Sequence, residues 1–129
     1  MEKKIVLLDT SILIDYYRKT DKEKSVWISL VKKQYAFAVS SITKFEIYCG
    51  ATLNQLAFWD GIFQQVLIVP LDESCVDTSV KIDQYLKKKR KQIEIADLFI
   101  AATAVTYDYQ LATLNKKHFE RIEELNLID

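Results

Sequence analysis

Short apolar runs alternate along this chain with longer stretches of helical period. Ile5-Val6-Leu7-Leu8 is continuous and rich in branched residues, the pattern of a strand buried on both faces of a parallel sheet. Ala36-Phe37-Ala38-Val39 and Val66 to Val69 repeat that pattern, and Gln110 to Leu114 predicts a fourth short strand. The tail from Glu120 to Ile128 is expected to add an edge strand. Between these runs, Ile12, Leu13, Tyr16 and Tyr17 open a helical period once Asp9-Thr10-Ser11 has ended the first strand. Val26, Trp27, Leu30 and Val31 share one face of a helix within Asp21 to Gln34. Ser40-Ser41 offers the next helix start, with Phe45, Tyr48 and Cys49 on one face and Gly50 as the break. Leu53 to Gln65 and Asp72 to Lys91 also read as helices, the second anchored by Val76, Val80, Ile82 and Leu86. Ile93 to Tyr107 is apolar nearly all round, which predicts a buried helix.

This alternation implies right-handed crossovers and an α/β fold: a three-layer α/β/α sandwich whose mostly parallel central sheet has four or five short strands. In such sheets ligands bind beyond the carboxyl ends of the strands. With 129 residues, no repeat and no linker, the chain reads as a single domain, 1–129. Two Gly and one Pro argue against an all-β protein. Eighteen basic residues balance eighteen acidic ones, so any attraction to nucleic acid must be local. Asp9 stops the first apolar run after Leu8, too early for a signal peptide or a membrane span. Cys49 and Cys75 have no metal-type spacing and are too few for a disulfide scaffold. A soluble, cytoplasmic domain with reduced thiols is expected, without a membrane partner.

Asp97 is the residue most at odds with its surroundings. Between Ile95 and Val105 only Asp97 and Thr103 are polar, and a carboxylate in a core helix is costly unless paired, capping or bound to a metal. Asp9 directly follows the first strand, where it can serve a site or cap the next helix. Glu46 lies one helical turn beyond the second strand, although Thr43-x-x-Glu46 also fits a capping box. Asn115 follows the fourth strand, as a turn residue or a member of the same sheet edge. Glu94 stands three residues before Asp97, as a supporting carboxylate or a first-turn charge. Individually these are ordinary positions. Jointly, three carboxylates and an amide follow strand ends or adjoin a buried helix in one small α/β layer. Clustered carboxylates repel unless protons or a cation neutralise them, and oxygen ligands without His or Cys select Mg²⁺ or Mn²⁺.

The stretches Val6-Leu7-Leu8-Asp9-Thr10-Ser11, Ser40 to Glu46, Ile95 to Ala104 and Leu111 to Ile122 occur together in this order. In that ordered set the chain resembles PIN-domain ribonucleases, in particular the VapC-like toxins of bacterial type II toxin–antitoxin pairs. The resemblance implies that Asp9 and Asp97 bind Mg²⁺ or Mn²⁺ and that Glu46 assists the metal or the attacking water. Asn115 occupies the family's fourth polar position, where a neutral amide weakens a two-metal proposal and suits the orienting of water or substrate. Thr10, Ser11, Glu94 and Thr113 fall in supporting positions. The implied reaction is hydrolysis of RNA phosphodiesters by metal-activated water, leaving a 5′-phosphate and a 3′-hydroxyl. The implied partners are an RNA substrate, a cognate antitoxin protein and a second copy of the chain.

Two other functions are compatible with the residues. One is a degenerate domain that binds RNA or protein without catalysis, for which the neutral Asn115 leaves room. The other is a phosphohydrolase or dehalogenase-like enzyme with Asp9 as nucleophile, although Ser11 stands where that chemistry expects a second Asp. The basic run Lys87 to Lys91, with Lys87, Lys88 and Arg90 foremost, can hold RNA phosphates or merely complement a helix end. Lys116 and Lys117 extend the same idea across the cleft. His118, the only histidine, is expected to be structural or superficial, and Phe58, Trp59 and Phe63 to be core or interface.

Overall fold

A computed structural model describes residues 3–128. Four parallel strands form its centre: β1 (Ile5–Leu8), β2 (Ala36–Ser40), β3 (Leu67–Val69) and β4 (Gln110–Ala112), in the spatial order β3-β2-β1-β4. The chain builds outward from β1 through β2 to β3, then returns to lay β4 on the other side of β1. The strand order therefore reverses between β1 and β4, the crevice where open parallel sheets place their ligands. The expected fifth strand is reduced to a single parallel bridge between Leu111 and Leu127.

The helices are α1 (Thr10–Arg18), α2 (Val26–Val31), α3 (Ser41–Gly50), α4 (Leu56–Phe63), α5 (Glu73–Lys88), α6 (Ile95–Tyr107) and α7 (Lys116–Phe119). Single 3₁₀ turns at Lys22–Lys24 and Leu53–Gln55 divide what the pattern presents as longer helices. Alternating side chains along β1 feed two separate cores. Leu7 joins Ala38, Leu111 and the apolar faces of α5, α6 and the tail. Val6 and Leu8 join Val39 and Ala112 beneath α1, α2, α3 and α4. The three layers of the sandwich follow from that alternation.

Some of the expected core is corrected. Val76 and Val80 are 42% and 49% exposed, and α5 instead buries Cys75, Ser79, Ile82 and Leu86. The buried stripe keeps helical spacing, but two of its positions are small and weakly polar, so counting only large apolar residues rotates the face. On α3, Phe45 is 66% exposed and Cys49 is also exposed, while Thr43 and Ile47 point inward. The helix expected to be buried all round is exposed at both ends, at Ile95 and Tyr107, and buries Leu98, Ile100 and Ala101 to Ala104. Ala101, Ala102 and Ala104 are fully buried, and such small side chains let α6 sit close to its neighbours. Trp59 and Phe63 are core, with Phe58 half-buried in a stack of aromatic rings beside Tyr16 and Tyr17.

Candidate active site

A cavity of about 660 Å³ opens over the carboxyl ends of β1 and β4. Asp9, Glu46 and Asp97 all line it, together with Thr10, Ser11, Glu94, Asn115 and His118. The three carboxylates come from β1, α3 and α6, so only the folded sheet brings them together.

Asp9 is 2% exposed and held by three donors. Its Oδ1 accepts from the backbone N–H of Thr10 at 2.8 Å, which makes it the N-cap of α1 as well as a site residue. Its Oδ2 accepts from the Ser11 hydroxyl at 2.8 Å and the Thr113 hydroxyl at 2.7 Å. Register explains the second contact: Leu8 is paired with Ala112 in the parallel ladder, so the next residues, Asp9 and Thr113, emerge side by side. The loop after β4 is pinned through the same hydroxyls. Ser11 Oγ accepts from Leu114 N at 3.0 Å, and Thr113 Oγ1 accepts from Asn115 N at 2.9 Å. Thr113→Val is therefore expected to remove a charge-assisted bond and orphan the Asn115 N–H. We expect a loss of about 1.5–3 kcal/mol in urea unfolding, together with a looser Asn115.

Glu46 sits in the middle of α3, not at its start. The N-cap there is Ser40, whose hydroxyl accepts from Ile42 N at 3.0 Å, and Thr43 is fully buried inside the helix. The Thr43–Glu46 capping box is thus corrected. Thr10 Oγ1 instead donates to Glu46 Oε1 at 2.8 Å and lies 3.1 Å from the Thr43 hydroxyl, tying α1 to α3. Oε2 has no protein partner among the described residues.

Asp97 lies in the first turn of α6, whose N-cap position is taken by Glu94 without a side-chain capping bond. Partial burial, and then the facing charge of Asp9, hold the Asp97 carboxyl above its ordinary value. His118 pulls the other way, with Nδ1 3.6 Å from Asp97 Oδ2, and Glu46 adds to the upward push. Asp97 thus feels the charge of both other carboxylates. Among the described residues none of them pairs with a lysine or arginine. Nor do any three His, Cys, Asp or Glu side chains there form a ready-made cage for a metal. The donor set is nonetheless that of a hard divalent cation, and the mutual repulsion at Asp97 is what such an ion relieves.

His118 is half-exposed at the cavity wall rather than packed away. Asn115 is exposed beside it, preceding α7. Of the proposed RNA-binding cations, Lys116 and Lys117 line an adjoining hollow that shares Asn115 and His118. Lys87, Lys88 and Arg90 do not line the acidic cavity. Lys87 pairs with Asp83 at 2.9 Å, and Arg90 occupies a left-handed backbone conformation where the chain leaves α5. Arg18 and Lys19 reach the cavity unannounced. The signal was present: Ser11, Ile14 and Asp15, and Arg18 follow one stripe of α1 at helical spacing. Lys19 is engaged with Asp15 at 3.4 Å, whereas Arg18 has no acidic partner among the described residues.

Fold and site together define a small parallel α/β/α domain with an acidic cleft at its topological switch point. The PIN domain family profile matches residues 6–125, and the chain belongs to that family. Ribonuclease VapC1 of Methanocaldococcus jannaschii is 38% identical over 127 residues, covering 98% of this chain and 87% of that protein. The structure of VapBC2 from Rickettsia felis, bound to a promoter DNA fragment, superposes with a TM-score of 0.85. It covers 96% of this chain and 97% of that one, at 26% identity. A toxin–antitoxin complex from Klebsiella pneumoniae gives a TM-score of 0.74 at 25% identity, covering 93% and 94%.

Proposed function

We propose that this chain is an endoribonuclease dependent on Mg²⁺ or Mn²⁺, and the toxin of a toxin–antitoxin pair. The observation that carries the reading is the convergence of Asp9, Glu46 and Asp97 on one cavity with no lysine or arginine paired to them among the described residues. The relative named as a ribonuclease supports RNA as substrate, and the superposed toxin–antitoxin complex supports an antitoxin protein as partner. A second copy of the chain belongs to the same reading; the exposed Val76 and Val80, one turn apart on α5, offer apolar surface for it. A cytoplasmic location is proposed with it, and among the described residues no helix is long and apolar enough to cross a membrane.

Asp9 and Asp97 would hold the cation, with Glu46 beside them, and the bound ion would acidify water and offset charge on the phosphoryl oxygens. The rest is done by the chain's own groups. Ser11 and Thr113 immobilise Asp9 Oδ2, so the carboxylate enters the cavity in one orientation. Thr10 orients Glu46 through Oε1 and leaves Oε2 to accept a proton from an incoming water. Asn115 both donates and accepts, which suits it to align water or a ribose hydroxyl. Arg18 supplies positive charge at the cavity wall for a substrate phosphate. Retention of all three carboxylates favours catalysis over a binding-only module. A covalent role for Asp9 is disfavoured, because both its oxygens are already engaged in a buried setting.

The test is cleavage of single-stranded RNA with and without divalent cation. Cleavage with Mn²⁺ or Mg²⁺, stopped by EDTA and leaving 5′-phosphate ends, is the expected result. Cleavage that continues in EDTA, or RNA left intact by pure chain freed of any antitoxin, defeats the proposal.

A further inference from the structure

We propose that single-stranded RNA passes from the acidic cavity onto a basic track formed by Lys117, Lys91 and Arg121, with Arg121 as a pre-set phosphate anchor. This rests on the ribonuclease reading above and names the path of its substrate. The carrying observation is continuity. The acidic cavity shares Leu114, Asn115 and His118 with a hollow of about 410 Å³ that adds Lys116 and Lys117. Lys117 in turn lines a further hollow of about 380 Å³ with Lys91, Glu120 and Arg121. Three adjoining depressions therefore lead from the carboxylates to a patch with three cations and one carboxylate.

Arg121 is fixed before any ligand arrives. Its Nη1 donates to the Gln92 carbonyl at 3.1 Å and reaches the Lys91 carbonyl at 3.5 Å. A guanidinium carries five N–H donors in a planar fork, so most remain for a phosphate, and its orientation is already restricted. The carbonyls belong to the segment between α5 and α6, which turns sharply at Arg90 (φ 54°). That turn directs Lys91 into the same hollow as Lys117. Two other cations of the run are held elsewhere: Lys87 pairs with Asp83, and Lys89 lies over the Tyr85 ring with Nζ 5.1 Å from its centre. An acidic protein segment could meet the same charges. RNA is favoured because the track starts at Asn115 and His118, inside the cavity where a scissile phosphate must lie.

The experiment measures binding of a fluorescent, mixed-sequence single-stranded RNA to the full chain in EDTA, across a salt series. Each phosphate contact on a single strand contributes about 0.7 to the slope of log affinity against log salt, so Lys117→Gln with Arg121→Gln should flatten it by roughly 1.4. Affinity should fall together with the slope. Lys117→Arg with Arg121→Lys keeps both charges and should keep the slope, which separates loss of contact from loss of fold; matching melting curves check the same point. The pair Lys24→Gln and Lys33→Gln removes equal charge elsewhere and should leave the slope unchanged. RNA bound with an unaltered slope by the Lys117/Arg121 pair overturns the track alone. A slope that responds equally to Lys24 and Lys33 also overturns it, by showing diffuse attraction. A chain that binds no RNA at low salt overturns the ribonuclease reading as well.

Discussion

Asp97→Asn is expected to abolish RNA cleavage and, at the same time, to raise the melting temperature of the metal-free chain. Both effects follow from one electrostatic fact. Burial and the charges of Asp9 and Glu46 disfavour the ionised form of Asp97, so its carboxyl titrates above the range it has in the unfolded chain. A carboxyl raised in this way lends stability while protonated, and that contribution is lost as pH rises through its folded value. At neutral pH the native chain therefore carries an unfavourable charge, which the isosteric amide removes. Cleavage should fall by at least about 10²-fold, the scale seen when one group stabilising transition-state charge is deleted. Paired melts should show the gain in Tm shrinking as pH is lowered into the acid range. Retained cleavage, or a destabilised variant at neutral pH, would show that Asp97 is a structural residue.

A second large effect is expected from the cation itself. At a free Mn²⁺ concentration one hundred times its dissociation constant, a ligand bound only by the native state adds about 2.7 kcal/mol. For a domain of this length that is a rise in Tm on the order of 10 °C. EDTA should return the melt to its starting value. Asp9→Asn and Asp97→Asn, each measured against its own metal-free baseline, should lose most of the rise. The three acidic groups are not gathered into a finished cage, so binding is expected to draw Glu46 and Asp97 inward. A rise that survives both substitutions places the cation elsewhere, and no rise with either Mn²⁺ or Mg²⁺ removes the metal from the site.

Much of the architecture was legible from local pattern. The first strand is a four-residue apolar run interrupted by a charge, and it ends where Asp9 begins to cap α1. Ser40 likewise closes β2 and caps α3. Polar residues after strands, and one acid inside an apolar helix, were enough to single out Asp9, Glu46, Asp97 and Asn115 as cavity residues. Less legible were the faces of amphipathic helices. On α5, buried Cys75 and Ser79 carry little hydrophobic signal, while Val76 and Val80 carry much and remain outside. On α3 the same ambiguity exposed Phe45 and buried Thr43.

By itself, then, the sequence determined the order of strands and helices, the layer class and the residue types available at the strand ends. These depend on periodicity and on capping side chains, which act over a few neighbouring residues. Only the tertiary structure decided that Thr113, 104 positions away, would clamp Asp9, and that Thr10 would orient Glu46. It alone made Asp9 both cap and site residue, moved Glu46 out of its capping box, and brought Arg18 and Arg121 to the surface leading from the cavity. The reason is strand pairing between distant segments. Once β4 lies against β1 in a set register, residues with no local relation share one small, partly dry volume, and their charges there answer to one another rather than to their sequence neighbours.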